Sequence, residues 1–558
     1  MTELAHPGIA LALAGALAAV LRGPARAAVV LAAPVVALYL LWQLPAGVVW
    51  HGEFLGYPVA PLVVDKLSRL FATVFLIMGF GGALYALDQP NRLEVPAALV
   101  YAGAALGVVL AGDLITVFAC WELMAVASTL VLWSAPGARA ASFRYLTVHL
   151  AGGMLLMAGV VGHVAQGGST AFAAFTLDSP AQWLILAGFL VNAAAPPISA
   201  WLPDAYPEAS WSGTVFLSAF TTKTAVYVLL RGFPGTELLV YVGLFMVFYG
   251  IVYALLENDM RRILAYSIVN QVGFMVAGIG IGTEMALNGA AAHAFTHIIY
   301  KALLLMSAGS VLRMTARRKC TDLGGLFRTM PLTAVCGIIG ALSISAFPLT
   351  SGFVSKSMIS QAAADEHLLA VWLLLTAASA GVFLHAGIKF PWFVFFQKDS
   401  GLRPSEPPLS MRLAMLLFSA LCIGLGIFYE PLYAMLPFGT IYVPYTAGHV
   451  VAQLQLLLFS GLAFFVMLGM LRRTLTITLD TDWFYRRLGP AVVQAAGKAI
   501  VVVDGAVRAA VVSTLTGFGT AFARASRPGG VLGRPRETRV MVLWVAVLLV
   551  AYLVVYYA

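Results

Sequence analysis

The sequence predicts an all-α, polytopic membrane protein of about 16 transmembrane helices, with a further amphipathic helix running laterally near the C-terminus. Three observations predict it. Of 558 residues, 61% are hydrophobic and only 10% are charged, against about 25% charged in a soluble domain. The apolar residues run in unbroken stretches of roughly 20, the length of one crossing, rather than in the alternation of an outer-membrane barrel. The basic loop residues fall on one side when each stretch is allowed to reverse the chain.

In chain order the spans lie near 7–22, 26–45, 66–87, 95–112, 114–133, 142–165, 181–201, 211–231, 236–256, 263–282, 290–312, 332–353, 369–396, 411–428, 449–471 and 540–557. With the N-terminus outside, one side collects 17 loop arginines and lysines, from Arg22 and Arg26 to Arg472 and Arg473; the other holds little beyond Lys66, Arg69, Arg231 and Lys356. The positive-inside rule then places both termini on the periplasmic side of a bacterial inner membrane. The same bias accounts for the net charge of +9 without nucleic acid as a partner. The first apolar run begins the first span and has no cleavable signal pattern. Cys120, Cys320, Cys336 and Cys422 lack metal-ligand spacing and read as packing residues. No Gly-rich phosphate loop and no cofactor or catalytic motif is present, which argues against ATP-driven transport.

Two spans are punctuated by proline. NAAAPPISAWLP carries Pro196, Pro197 and Pro203, and SAFPLTSGF carries Pro348. Proline removes a backbone donor, and freed backbone survives at membrane depth where it lines a polar cavity. A broken span in each half of a transporter points to internal repeats around a site; two unrelated packing kinks are the alternative. Residues 480–535 mix apolar and charged residues at helical spacing, which suits a long amphipathic helix opened by Pro490 and followed by a basic Gly/Pro linker.

A few titratable groups lie inside the apolar runs, where each costs several kcal/mol unless paired or hydrated. Glu122 sits near mid-span. Burial disfavours its charged form and a nearby ammonium favours it, so a moving lysine would switch the acid between holding and releasing a proton; a packing glutamate bonded between helices is the alternative. Lys223 stands among Thr221, Thr222 and Thr224, about 12 residues into its span, too deep for easy snorkelling to the interface. His293, His297 and Lys301 are spaced four apart and form one helical stripe, read as a proton relay. Two histidines at that spacing also suit a metal, but the lysine would repel a cation, so no metal site is assigned. Lys356 follows the second broken helix, in reach of any cavity there. His385 and Lys389 form another pair four apart, as an extension of the relay or an exit. His149 and His163 read as packing or loop residues.

These residues stand in runs that look familiar: FACWELMA, WLPDAYPEA, TTKTAVYVLLR, NDMRRILAYSIVNQVGF, HAFTHIIYKALLLMSAGSV and FPLTSGFVSK. In that order they resemble the antiporter-like subunits of respiratory complex I and of Mrp-type sodium/proton antiporters, with the D-type Mrp subunit and the largest complex I subunit as the nearest types. TLDTDWFYRR and the residues after it resemble the lateral-helix extension of that largest subunit. The resemblance implies two inverted five-helix repeats, each with a broken helix. It divides the chain into N-terminal helices (1–94), a first repeat (95–231), a second repeat (232–396), C-terminal helices (397–471), the lateral helix and linker (480–535) and a last helix (536–558). It implies that Glu122 is the fifth-span acid, Lys223 the eighth-span base, His293, His297 and Lys301 the central relay, and Lys356 the exit lysine. One departure stands out. The family carries a lysine nine residues before the tryptophan of WLPDA, and here that residue is Asn192, which cannot carry the charge that gates Glu122.

The expected function is that of a proton-translocating subunit of a cation (Na+)/proton antiporter complex, in a lipid bilayer with other membrane subunits as partners. The alternatives are the proton-pumping arm of a complex I-like or hydrogenase-linked redox complex, the membrane subunit of a proton-coupled inorganic-carbon uptake system, and a non-conducting scaffold.

Overall fold

The computed structural model describes residues 5–470, 479–535 and 537–557; Arg472, Arg473 and the segment ends expected at 471, 536 and 558 lie outside the described residues. The chain divides into two units, Met1–Asp482 and Trp483–Ala558.

The first unit opens with α1 (Pro7–Val20) and α2 (Gly23–Gln43), then a hairpin of β1 (Gly47–Phe54) and β2 (Tyr57–Val64). The hairpin falls between two expected spans and was not foreseen. Its two-residue turn is Leu55-Gly56, both with positive φ, the geometry that matches the twist of paired strands. Next come α3 (Lys66–Tyr85), α4 (Glu94–Leu110), α5 (Leu114–Trp133), α6 (Arg139–Ala165), α7 (Pro180–Asn192), α8 (Trp201–Ala205), α9 (Gly213–Leu217) and α10 (Thr221–Gly232). The next group is α11 (Leu238–Leu256), α12 (Met260–Ile281), α13 (Glu284–Thr315), α14 (Pro331–Ile344) and α15 (Ser351–Asp365). Then follow α16 (Leu369–Val382), α17 (Leu409–Ile427), α18 (Glu430–Ala434) and α19 (Ala447–Val466).

Among the described residues, thirteen helices are long and apolar enough to cross a membrane; α1, α4, α7 and α14 are shorter apolar helices. Every expected span falls on one of these. The span expected at 369–396 begins as α16 and widens into π-helical turns at Phe383–Lys389 and Trp392–Phe396.

Both proline-bearing spans are broken, and broken alike. After α7 the amide of Ala195 donates to Leu190 and that of Ala194 to Val191; after α14 the amide of Phe347 donates to Leu342 and that of Ala346 to Ser343. Ala194 and Ala346 both have left-handed φ, 60° and 56°. This is the same helix-ending motif twice, with alanine where glycine is usual. Pro197 and Pro348 then keep either chain from continuing as helix. Past the second break, Gly352 lets the backbones touch, since a Cβ there would collide with the Ser343 carbonyl oxygen.

A third break was not foreseen, because it carries no proline: α9 ends at Leu217 and α10 begins at Thr221. The core of the first unit is built from α12 and α13, whose described residues are buried almost end to end.

The second unit holds α20 (Gly489–Ser526) and α21 (Thr538–Tyr557), with no buried residue in either. Pro490 stands in the first turn of α20, as its position predicts. The helical run from Phe484 to Ser526 is 43 residues, or about 65 Å at ~1.5 Å per residue, roughly twice the hydrocarbon thickness.

Candidate functional site

Buried titratable side chains stand on α10, α13 and α15, of which α10 and α15 each follow a break. The break before α10 frees the carbonyl of Ser218, and Lys223 Nζ donates to it at 2.7 Å and to Thr222 Oγ1 at 3.0 Å. Lys223 is fully buried, and α10 packs against α12 and α13.

On α13 the stripe is as spaced. Lys301 Nζ donates to Ser267 Oγ on α12 at 2.9 Å. His297 is fully buried, and neither of its ring nitrogens has a hydrogen-bond partner. Its ring stacks 6.2 Å from that of His293. His293 reaches across two helices: Nε2 is 3.0 Å from Gln271 Oε1 on α12, and Nδ1 is 3.0 Å from Ser355 Oγ on α15. Gln271 Oε1 can only accept, so His293 Nε2 carries the proton in this arrangement. Tyr300 closes the group by donating to Gln271 Oε1 at 3.2 Å.

Lys356 follows Ser355 and is buried, not a loop lysine. Its Nζ lies 4.2 Å from the centre of the Phe274 ring and has no hydrogen-bond partner. It also lines a cavity of about 390 Å³ with Ser357, Gln361, Thr376, Tyr442, His449 and Gln453. The polar cavity expected behind the second break is therefore present, and Lys356 borders it.

His385 and Lys389 are both buried, but they do different things. His385 Nδ1 donates to Gly381 O at 2.8 Å, leaving Nε2 without a partner. Lys389 Nζ donates to the carbonyls of Ala254, Leu255 and Glu257 at 3.0, 2.5 and 2.6 Å. It caps the end of α11, where a cation also suits the helix dipole.

Glu122 stands apart from this group. It is half-buried on α5, on a flank with exposed Leu123, Val126, Met154 and Val161. Its carboxylate rests on Gly153 of α6: a Cβ at that glycine would collide with Glu122 Oε1. Asn192, in the last turn of α7, accepts from His149 Nδ1 of α6 at 2.6 Å. His149 is buried between the rings of Tyr145 and Trp201, at 4.1 and 4.5 Å. The reading of His149 as a packing residue missed this pairing. The signal was its spacing, with Tyr145, His149 and Gly153 four apart on one helix.

Hydroxyls fill the space from there to α10. Tyr145 OH donates to Ser128 Oγ at 3.0 Å and lies 3.3 Å from Thr221 Oγ1; Thr221 Oγ1 lies 2.5 Å from Tyr101 OH. Thr221 is two residues from Lys223. At one end of this region Arg144 makes a two-point ion pair with Asp204, at 2.7 and 2.8 Å. Elsewhere a buried carboxylate that sequence reading passed over, Glu94, is held by Gln89 at 3.1 Å, Ser134 at 3.0 Å and Ser212.

Apolar helices, some of them broken, with buried lysines and histidines at membrane depth, define a class of multi-pass membrane proteins. Residues 111–382 match the family described as NADH:quinone oxidoreductase/Mrp antiporter, transmembrane, and the chain belongs to that family. It is similar to a probable K(+)/H(+) antiporter A/B subunit of Rhizobium meliloti, 29% identical over 66% of this chain and 40% of that protein. The chain thus spans less than half the length of that relative. It is also similar to the D subunit of the Na(+)/H(+) antiporter of Alkalihalophilus pseudofirmus, 28% identical over 68% of this chain and 83% of the relative. In fold it resembles a chain of the membrane-bound sulfane sulfur reductase, an archaeal respiratory membrane complex, with a TM-score of 0.72 and 22% identity over 99% of this chain and all of that one.

Proposed function

We propose that this chain is the proton-translocating subunit of a multisubunit cation/proton antiporter complex. The observation that carries the reading is the unbroken burial of Lys223, Lys301, His297, His293 and Lys356, ending at a polar cavity. Apolar residues would fill these positions at far lower cost. Lys301 is the central base, His297 and His293 pass the proton toward Ser355, and Lys356 delivers it to the cavity. Burial destabilises each charge, so a proton is taken up only as a neighbour gives one away. Glu122 is the acid of the other half. Its half-buried place on an apolar flank suits a neighbouring membrane subunit that would cover it. Lys389, saturated by three carbonyls, holds α11 and lies outside the path. The basic loops favour a cytoplasmic side opposite both termini.

The test is ion-driven proton flux in proteoliposomes containing the whole complex. Lys301→Ala and Glu122→Ala should each abolish it; flux that survives both substitutions sinks the reading. A second reading, the pumping arm of a redox-driven complex, is favoured by the fold match to a respiratory complex along nearly the full chain, C-terminal unit included. Mass analysis of copurified subunits separates the two: redox partners support the second, further antiporter subunits the first.

A further inference from the structure

Three tyrosines gather on the α11–α12 pair. Tyr249 and Tyr253 stand one turn apart on α11, and Tyr266 meets them from α12, with ring centres between 4.8 and 5.9 Å apart. All three hydroxyls go to one short stretch of chain beyond α19. Tyr253 OH donates to the Leu479 carbonyl at 2.7 Å. Tyr249 OH lies 2.8 Å from both carboxylate oxygens of Asp480, and Tyr266 OH donates to Oδ2 at 2.6 Å. Asp480 is buried there, and hydrogen bonds to a carboxylate are the stronger kind. One phenol comes from each helix, so the carboxylate bridges α11 and α12. The two helices meet this closely through glycine: a Cβ at Gly250, next to Tyr249, would collide with the Tyr266 carbonyl oxygen.

The bridged turn of α12 is also the one that holds Lys301. Lys301 Nζ donates to Ser267 Oγ at 2.9 Å and to the Leu264 carbonyl at 3.4 Å. Tyr266 lies between these two acceptors in the chain. Successive side chains on a helix point ~100° apart, so this turn gives Tyr266 to Asp480 and Ser267 to Lys301. A rotation of α12 that takes Tyr266 off the carboxylate also swings Ser267 off the ammonium.

We propose that Asp480 is a positioning residue for the central lysine: docked on Tyr249 and Tyr266, it fixes the rotation of α12 and so holds Ser267 at Lys301 Nζ. Asp480 itself carries no proton in this role. The docked stretch is the last of the first unit, which ends at Asp482.

The inference rests on the antiporter reading, and the experiment separates their failures. Flux is measured with the whole complex in proteoliposomes. A parental complex without flux, or one indifferent to Lys301→Ala, overturns both. Given Lys301-dependent flux, Asp480→Asn should lower it about tenfold, the scale for a misplaced reacting group, because an amide offers one accepting oxygen where the carboxylate has two. Ser267→Ala should lower it by a similar factor, and adding Asp480→Asn to Ser267→Ala should lower it no further. A merely structural Asp480 would lower flux by the same factor with or without Ser267. That result overturns the role of Asp480 alone, as does unchanged flux in either single variant. If Asp480→Asn fails to assemble, Tyr266→Phe takes its place in the same cycle. It leaves the carboxylate on Tyr249 and should lower flux about threefold or more, the scale of one hydrogen bond; unchanged flux overturns the proposal. Failure of both variants to assemble assigns the docked stretch to folding and overturns it too.

Discussion

Lys301 and the two histidines are enclosed by their own chain, on a helix buried almost throughout, whereas Glu122 lies half-buried on an apolar flank. In the second half, donors and acceptors come from three helices, through Ser267, Gln271 and Ser355. In the first, the acid rests on the surface of Gly153, and the buried His149 is held by the amide of Asn192. One half is thus enclosed within the chain, and the other lies at its edge. Substitutions in the second half should therefore act within this one chain. Those around Glu122 should depend on whatever covers that flank.

The largest effect is expected where a buried charge has no hydrogen bond. Lys356→Met removes an ammonium held only by a ring face. Flux in reconstituted complex should fall about a hundredfold or more, as for loss of an essential proton carrier. Stability should hold or rise, since replacing an unpaired buried charge with an apolar side chain relieves desolvation. Lys389→Met is the contrasting case. It strips the donor from three carbonyls at the end of α11 and should destabilise the protein by about 2–4 kcal/mol, seen as a lower melting temperature in detergent. Complex that still assembles should retain flux. Flux lost with stability intact in Lys389→Met would put this lysine back on the path, and the line between holding and moving lysines would break.

Most of the fold was legible because membrane spans announce themselves by length and apolarity. The proline breaks were legible too, since proline cannot continue a helix. The break before α10 was not: Ser218, Ala219 and Phe220 carry no helix-breaking side chain, and only the structure shows Lys223 on the Ser218 carbonyl at the gap. The β-hairpin was missed because its strands lack clean alternation. Within the candidate site, the His293–His297–Lys301 stripe was legible from spacing alone. The different fates of Lys356 and Lys389 were not, because two buried lysines near helix ends look alike until their acceptors are seen. The hydrogen bond of His149 was hidden for the same reason. Its partner Asn192 is 43 residues away, and only the packing of α6 on α7 brings them together.

A smaller effect tests the edge half. Gly153→Ala adds one methyl where Glu122 Oε1 now rests. The carboxylate must move while its charge remains. Flux should drop severalfold, on the order of tenfold for a misplaced proton carrier, with little change in melting temperature because Glu122 has room at the exposed flank. Flux equal to the parent would show that the present position of Glu122 is not the working one, and the comparison of the two halves would lose its weaker member.

The smallest effect belongs to a charge outside both halves. Asp399, in the loop after the span that starts at α16, accepts from Arg403 at 2.9 and 2.7 Å and from the Gly401 amide at 2.9 Å. The Arg403 hydrogen bonds, then that of Gly401, hold its carboxyl well below the usual carboxylate range. A depressed carboxyl contributes stability above its unfolded value of about 4, and the contribution fades only as pH falls through the lower folded value. It is therefore constant between pH 5 and 9 by this sign, on the order of what screened surface pairs give, which is little. Asp399→Asn should leave flux and melting temperature at pH 7 unchanged and alter unfolding only in strong acid. A flux loss at pH 7 matching that of Lys356→Met would mean that charges exposed in loops steer the proton as strongly as those buried in the spans. The contrast between an enclosed half and an edge half would then no longer explain where the proton goes.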